Sequence, residues 1–172
     1  RLILTSPEAR NLVEQAIADP VKEYFPEAEP LMGTSTAGIA HAAIAGHLLG
    51  MPMGYVRGSA KDHGRNNRIE GRLNPGTKVV VIEDLISTAG SCIDVVEALR
   101  EAGAEVLGVV SIFTYGMQKG LDRLAAAGVE NHSLSNFDTL VDVAVEKNYI
   151  KPEDAVRLRK FMACPSDESW RN

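Results

Sequence analysis

Short apolar runs alternate along this chain with stretches whose apolar residues recur every three or four positions. Leu2-Ile3-Leu4 reads as strand-like. Ser6-Pro7, a capping hydroxyl followed by proline at the first helical position, opens a helix that carries Leu12, Val13, Ala16 and Ile17 on one face. Pro20 predicts a kink, or two shorter pieces, before Val21, Tyr24 and Phe25. A strand over 31–33, a helix over 37–49 and a strand over 53–56 come next. The run Lys78-Val79-Val80-Val81-Ile82 has no polar alternation after its lysine, the mark of a central parallel strand covered on both faces.

The alternation continues with a helix over 92–102 closed by Gly103, a β-branched strand over 106–113, and a helix marked by Leu121, Leu124 and Ala125 that ends near Gly128. Ser135 and Asp138 predict a capping-box start for a helix with Phe137, Leu140, Val141, Ala144 and Val145 on one face. A last helix begins at Pro152 and groups Ala155, Leu158 and Met162. Strands separated by helices imply right-handed crossovers. The expected architecture is α/β, a mostly parallel central sheet flanked by helices on both faces, in a single domain over 1–172.

Composition narrows the function. With 172 residues, 45% of them hydrophobic and 5% aromatic, the chain can bury one core. No apolar run approaches the roughly 20 residues of a membrane helix, and no leader pattern opens the chain, so no membrane partner and a cytoplasmic location are expected. A net charge of −5 argues against nucleic-acid binding through a broad basic face, so any anion must be held locally. Cys92 and Cys164 lie far apart, without the spacing of a zinc site or a disulfide framework. Arg1 stands where an initiator methionine is absent, and a further segment is expected upstream.

The central strand runs into Glu83-Asp84-Leu85-Ile86 and then Ser87-Thr88-Ala89-Gly90-Ser91, a small hydroxyl-rich turn that opens a helix. Ligands of open α/β sheets bind at the carboxyl ends of strands. Ser87 to Ser91 can aim backbone N–H groups and hydroxyls at a phosphate, which a helix N-terminus also favours. Two carboxylates beside an anion site would repel phosphate, so they need another task, such as accepting hydrogen bonds from sugar hydroxyls. A ribose 5-phosphate satisfies both halves; the plainer alternative is a capped turn.

A second anion signal is local. Arg57, Lys61, His63, Arg65, Arg68 and Arg72 crowd into one segment opposed only by Asp62 and Glu70, with Gly58, Gly64 and Gly71 to let it move. A leaving group that accumulates charge is stabilised by such preorganised cations; a solvated basic hairpin has the same composition. The glycine-bounded turn Gly33-Thr34-Ser35-Thr36-Ala37-Gly38-Ile39 could offer backbone donors as an anion nest.

The string from Val79 to Ser91 resembles the phosphoribosyl pyrophosphate signature of type I phosphoribosyltransferases. Tyr55-Val56-Arg57-Gly58-Ser59-Ala60-Lys61-Asp62-His63-Gly64, with Asn67-Arg68-Ile69-Glu70-Gly71, resembles the mobile catalytic loop of the orotate phosphoribosyltransferases, and the likeness covers nearly the whole chain to about Lys160. It implies transfer of the 5-phosphoribosyl group to orotate with Mg2+, in a homodimer whose loop closes over the neighbouring active site. Arg57, Lys61 and His63 would bind pyrophosphate, as would the turn Thr34, Ser35, Thr36, Ala37 and Gly38. Glu83 and Asp84 would hold the ribose hydroxyls, and Ser87, Thr88, Ala89, Gly90 and Ser91 would cradle the 5′-phosphate. Thr88 would also touch orotate, while Leu85 and Ile86 would be largely scaffold within the same binding stretch. Lys61, His63 and Asp84 are the expected catalytic residues, with Asp62 or His63 for proton handling; no protein residue is assigned as a direct metal ligand. Many members carry a lysine where this chain has Gly58, and the upstream segment in the family contributes a hood over orotate.

Other residues are less informative. Cys92 stands at a helix N-terminus, a setting that can activate a thiol but is more often packing. His41, His47 and His132 lack metal-ligand spacing and are expected to be structural or surface residues. Competing expectations are a purine or other phosphoribosyltransferase, a phosphoribosyl pyrophosphate sensor on the same fold, and an enzyme fused to a decarboxylase domain.

Overall fold

Val79, Val80, Val81 and Ile82 are completely buried because the strand they form lies mid-sheet, with helices on both sides. The computed structural model of the chain describes residues 1–58, 68–165, 167 and 170. Within them, β1 (Leu31–Thr34), β2 (Met53–Val56), β3 (Ile69–Glu70), β4 (Lys78–Ile86), β5 (Glu105–Thr114) and β6 (Asn131–Asn136) form one six-stranded sheet in the order β3-β2-β1-β4-β5-β6. Every pairing is parallel except β2 with β3, where Tyr55 faces Glu70 and Val56 faces Ile69.

The helices are α1 (Pro7–Tyr24), α2 (Ala37–Leu49), α3 (Gly90–Glu101), α4 (Gln118–Ala126), α5 (Phe137–Glu146) and α6 (Pro152–Ala163). One core layer joins Ile17, Val21 and Phe25 of the α1 region and Ala42 and Ala45 of α2 to Leu31, Val80, Ile82 and Val110. The other joins Val96 and Leu99 of α3 and Leu124 of α4 to Met32, Val79, Val81 and Val109. The mostly parallel α/β architecture read from the sequence is therefore the one observed.

Four local readings need correction. Leu2–Thr5 is a 3-10 turn and not a strand; Leu2 is 86% exposed and finds no strand partner, while Leu4 and Ser6 N–H groups bond three residues back. Pro20 lies inside a single α1, not between two shorter pieces. The lost backbone donor there is outweighed by packing, since Ile17, Ala18 and Val21 are buried on both sides of it. The cap of α5 is Asn136, whose Oδ1 accepts the Thr139 N–H at 2.9 Å, one residue beyond the expected Ser135. The strand β4 extends through Glu83, Asp84 and Leu85 to Ile86, four residues beyond the apolar run that announced it.

Candidate active site

The chain leaves β1 towards β2 on one side and returns through β4 to the other, so the topological switch point, the place where open α/β sheets bind their ligands, lies between the carboxyl ends of β1 and β4. Thr34 ends β1, and its hydroxyl donates to Glu83 Oε1 of β4 at 2.7 Å and approaches the Ile82 carbonyl at 3.3 Å. The Asp84 N–H donates to the same Glu83 oxygen at 2.9 Å. Glu83 is only 4% exposed, and burial is the main reason its carboxyl is pushed up to about 7, the neighbouring Asp84 side chain adding to the rise and the Thr34 hydrogen bond opposing it.

Helix α2 begins hard against this junction. A Cβ at Gly38 would stand 2.5 Å from both the Ile82 carbonyl oxygen and the Thr34 hydroxyl, so only glycine lets the helix start there. Ser35 and Thr36 are joined by a cis peptide bond, and Ser35 donates its hydroxyl to the Val56 carbonyl at 2.6 Å. Thr34, Ser35, Thr36, Ala37 and Gly38 thus form one turn between β1 and α2. Thr36, the residue before α2, makes no side-chain cap, which leaves the first N–H groups of the helix without that partner.

Asp84 is less enclosed than Glu83, its side chain 28% exposed, with Arg1 Nε at 4.0 Å. Leu85 is 40% exposed, and Ile86 is buried in the core layer beneath α3. Ser87 and Thr88 are half-buried, Ala89 is buried, and Gly90 and Ser91 are exposed. Ala89 adopts the left-handed conformation at φ 57, which turns the chain into α3 without a side-chain cap and leaves orphan amides of the kind that gather around an anion. Cys92 lies in the first turn of α3, buried, and burial together with the Glu83 charge pushes its thiol up to about 12. It is a packing residue and not an activated nucleophile.

The segment from Arg57 to Arg68 leaves from β2 and returns to β3 at the same edge of the sheet. Its two stems are tied: the Arg57 N–H donates to the Arg68 carbonyl at 2.8 Å, and Arg68 Nε donates to the Arg57 carbonyl at 3.0 Å. Arg57 Nε lies 3.3 Å from Glu70, and Arg68 grips Asp94 of α3 through both its terminal nitrogens. That grip lowers the Asp94 carboxyl and raises the Arg68 guanidinium. Lys61 and His63 lie outside the described residues.

Sequence reasoning missed Arg123 of α4, whose Nη1 donates to the Thr88 carbonyl at 2.9 Å; the basic residue carries no local motif. His41, expected to be a structural or surface residue, is buried and holds Glu14 of α1 at 2.6 Å. Among the described residues no three His, Cys, Asp or Glu side chains gather as a metal cage. Magnesium commonly binds through one or two carboxylates together with substrate phosphates. Asp84, at the switch point with its carboxylate partly open, fits that use.

Comparison with known proteins identifies the family. The Phosphoribosyl transferase domain family matches residues 3–147. The orotate phosphoribosyltransferase of Bacillus cytotoxicus is 51% identical over 170 residues, which are 99% of this chain and 81% of that protein. Among solved structures, orotate phosphoribosyltransferase from Aeropyrum pernix superposes with a TM-score of 0.73 at 26% identity, covering 81% of this chain and 78% of its own. UMP synthase of Leishmania donovani superposes with a TM-score of 0.80 at 25% identity, covering 94% of this chain and 34% of its own. The chain belongs to the phosphoribosyl transferase domain family.

Proposed function

We infer that the chain is an orotate phosphoribosyltransferase, a pentosyltransferase of pyrimidine nucleotide synthesis. It moves the 5-phosphoribosyl group from phosphoribosyl pyrophosphate to orotate and releases pyrophosphate and orotidine 5′-monophosphate. The observation that carries the reading is the junction at the switch point, where the buried Glu83, the open Asp84 and an uncapped α3 N-terminus stand in one line of chain. The choice of orotate as acceptor draws its support from the 51% identical relative.

In this reading Ser87, Thr88, Ala89, Gly90 and Ser91 hold the 5′-phosphate through amides and hydroxyls, while Asp84 and Glu83 accept hydrogen bonds from the ribose hydroxyls. The turn Thr34 to Gly38, with Arg57, Lys61 and His63, receives pyrophosphate, and Thr88 contacts the base. The bond from the anomeric carbon to pyrophosphate breaks with its electron pair leaving on oxygen, and a ring nitrogen of orotate forms the new bond from the opposite face, its proton passing to the departing pyrophosphate. The chain supplies position and fixed charge for an oxocarbenium-like centre, with no covalent intermediate. Magnesium, when bound with the substrate phosphates, would supply positive charge against the leaving pyrophosphate. Asp84 is the residue best placed to meet it.

The proposed assembly is a homodimer in which the basic loop serves the neighbouring site, in the cytoplasm. No helix among the described residues is long and apolar enough to cross a membrane. The test is product identity: with phosphoribosyl pyrophosphate and Mg2+, the purified protein should convert orotate to orotidine 5′-monophosphate and pyrophosphate in equal amounts. Absence of that product with intact, folded protein would refute the reading.

A further inference from the structure

We propose that α4 is the buttress of the phosphate loop and that Gly120 and Arg123 are its positioning residues. The proposal rests on the reading of residues 87–91 as the 5′-phosphate cradle. Gly120 and Arg123 are three apart and so share one face of α4. A Cβ at Gly120 would lie 2.5 Å from the Ser87 carbonyl oxygen, so the helix backbone reaches the loop with no room for a side chain between them. Arg123 Nη1 donates to the Thr88 carbonyl at 2.9 Å and lies 3.4 Å from the Thr88 hydroxyl. The same nitrogen stands 3.1 Å from where a Cβ at Gly90 would be.

Planarity of the peptide unit turns these contacts into aim. In a trans peptide the C=O and the following N–H point in opposite directions. Holding the Ser87 and Thr88 carbonyls towards α4 therefore directs the Thr88 and Ala89 N–H groups away from α4, as donors for an anion. Ala89 sits in the left-handed region at φ 57, which an alanine adopts only at a cost, so the turn depends on outside support. The guanidinium also adds a positive charge beside the α3 N-terminus, where an anion is already favoured.

Direct binding of ribose 5-phosphate and of pyrophosphate to the full chain, measured by calorimetry, tests this. Arg123→Met should weaken ribose 5-phosphate about fivefold, the loss of roughly one exposed charge-assisted hydrogen bond, and leave pyrophosphate within about twofold. Arg123→Lys, which keeps the charge and a donor, should recover most of the loss. A general weakening of both ligands, or unchanged ribose 5-phosphate binding in Arg123→Met, would overturn the buttress. The double variant Ser87→Ala with Ser91→Ala separates the two readings: if it too leaves ribose 5-phosphate binding unchanged, the loop is not the phosphate site and the buttress falls with it. If that double variant weakens binding while Arg123→Met does not, only the buttress fails.

Discussion

The Thr34 hydroxyl and the Glu83 carboxylate, 49 residues apart in sequence, meet at 2.7 Å across the junction of β1 and β4. One hydrogen bond thereby joins the turn assigned to pyrophosphate to the acid assigned to ribose. Thr34→Val keeps the shape and removes the donor, leaving Glu83 Oε1 to the Asp84 N–H. The expected cost is about 1–3 kcal/mol of stability, with a raised KM for phosphoribosyl pyrophosphate. Chemical denaturation and steady-state kinetics check both; a variant equal to the parent in each would show that the bond links nothing of consequence.

Glu83 also gives the site a pH dependence with a definite sign. Its folded value, about 7, lies above the ordinary 4.5, so the folded state holds this proton more tightly than the unfolded chain. Its contribution to stability is most favourable below the unfolded value and declines as pH rises through about 7, by about 3 kcal/mol in all. Binding should run the other way, because the ionised carboxylate is the better acceptor for sugar hydroxyls. Comparing the protein with Glu83→Gln by urea denaturation from pH 5 to pH 8 should show a parent-specific loss of stability on raising pH. Parallel curves would remove Glu83 as the titrating group.

The Glu14 and His41 side chains are buried together between α1 and α2, with Glu14 Oε2 and His41 Nε2 making no further hydrogen bond. Removing one partner strands the other: His41→Leu should cost about 3–5 kcal/mol. Glu14→Gln, which keeps an acceptor for the ring nitrogen, should cost about 1 kcal/mol. Adding Glu14→Leu to His41→Leu should recover part of the loss. Additive losses in the double variant would indicate that the two side chains act independently.

Sharing of the basic loop between subunits has its own test. Lys61→Ala and Asp84→Asn should each yield a nearly inactive homodimer, the latter with little change in thermal stability because its side chain is partly open. In a mixed dimer, a loop acting across the interface restores one good site, and activity should approach half the parent rate. Differently tagged subunits, co-expressed and purified as the heterodimer, provide the measurement. A heterodimer as inactive as its parents would exclude sharing through Lys61.

Local pattern carried most of the fold. The run Val79 to Ile82 reads as a central strand from its composition alone, and the segments 37–49 and 53–56 match α2 and β2 residue for residue. What escaped depends on tertiary contact. Leu2 to Leu4 has the composition of a strand but no neighbour to pair with, and Pro20 has the chemistry of a break but lies in a helix whose buried face keeps it in one piece. In the site, the two acids and the small-residue turn were legible because their chemistry is contiguous in sequence. Arg123 was not, since it meets the Thr88 carbonyl only when α4 packs against the loop; outside the site, the Glu14–His41 pair likewise forms only when α1 and α2 pack.

The most direct test of the account is a competition among bases. The purified protein, with phosphoribosyl pyrophosphate and Mg2+, would be offered orotate, uracil, adenine, hypoxanthine and xanthine, and the rate of nucleotide formation from each compared. Orotate should be consumed with a kcat/KM well above that of every other base. Adenine, hypoxanthine or xanthine turned over as fast as orotate, or faster, would contradict the assignment and make the chain a purine enzyme on the same fold.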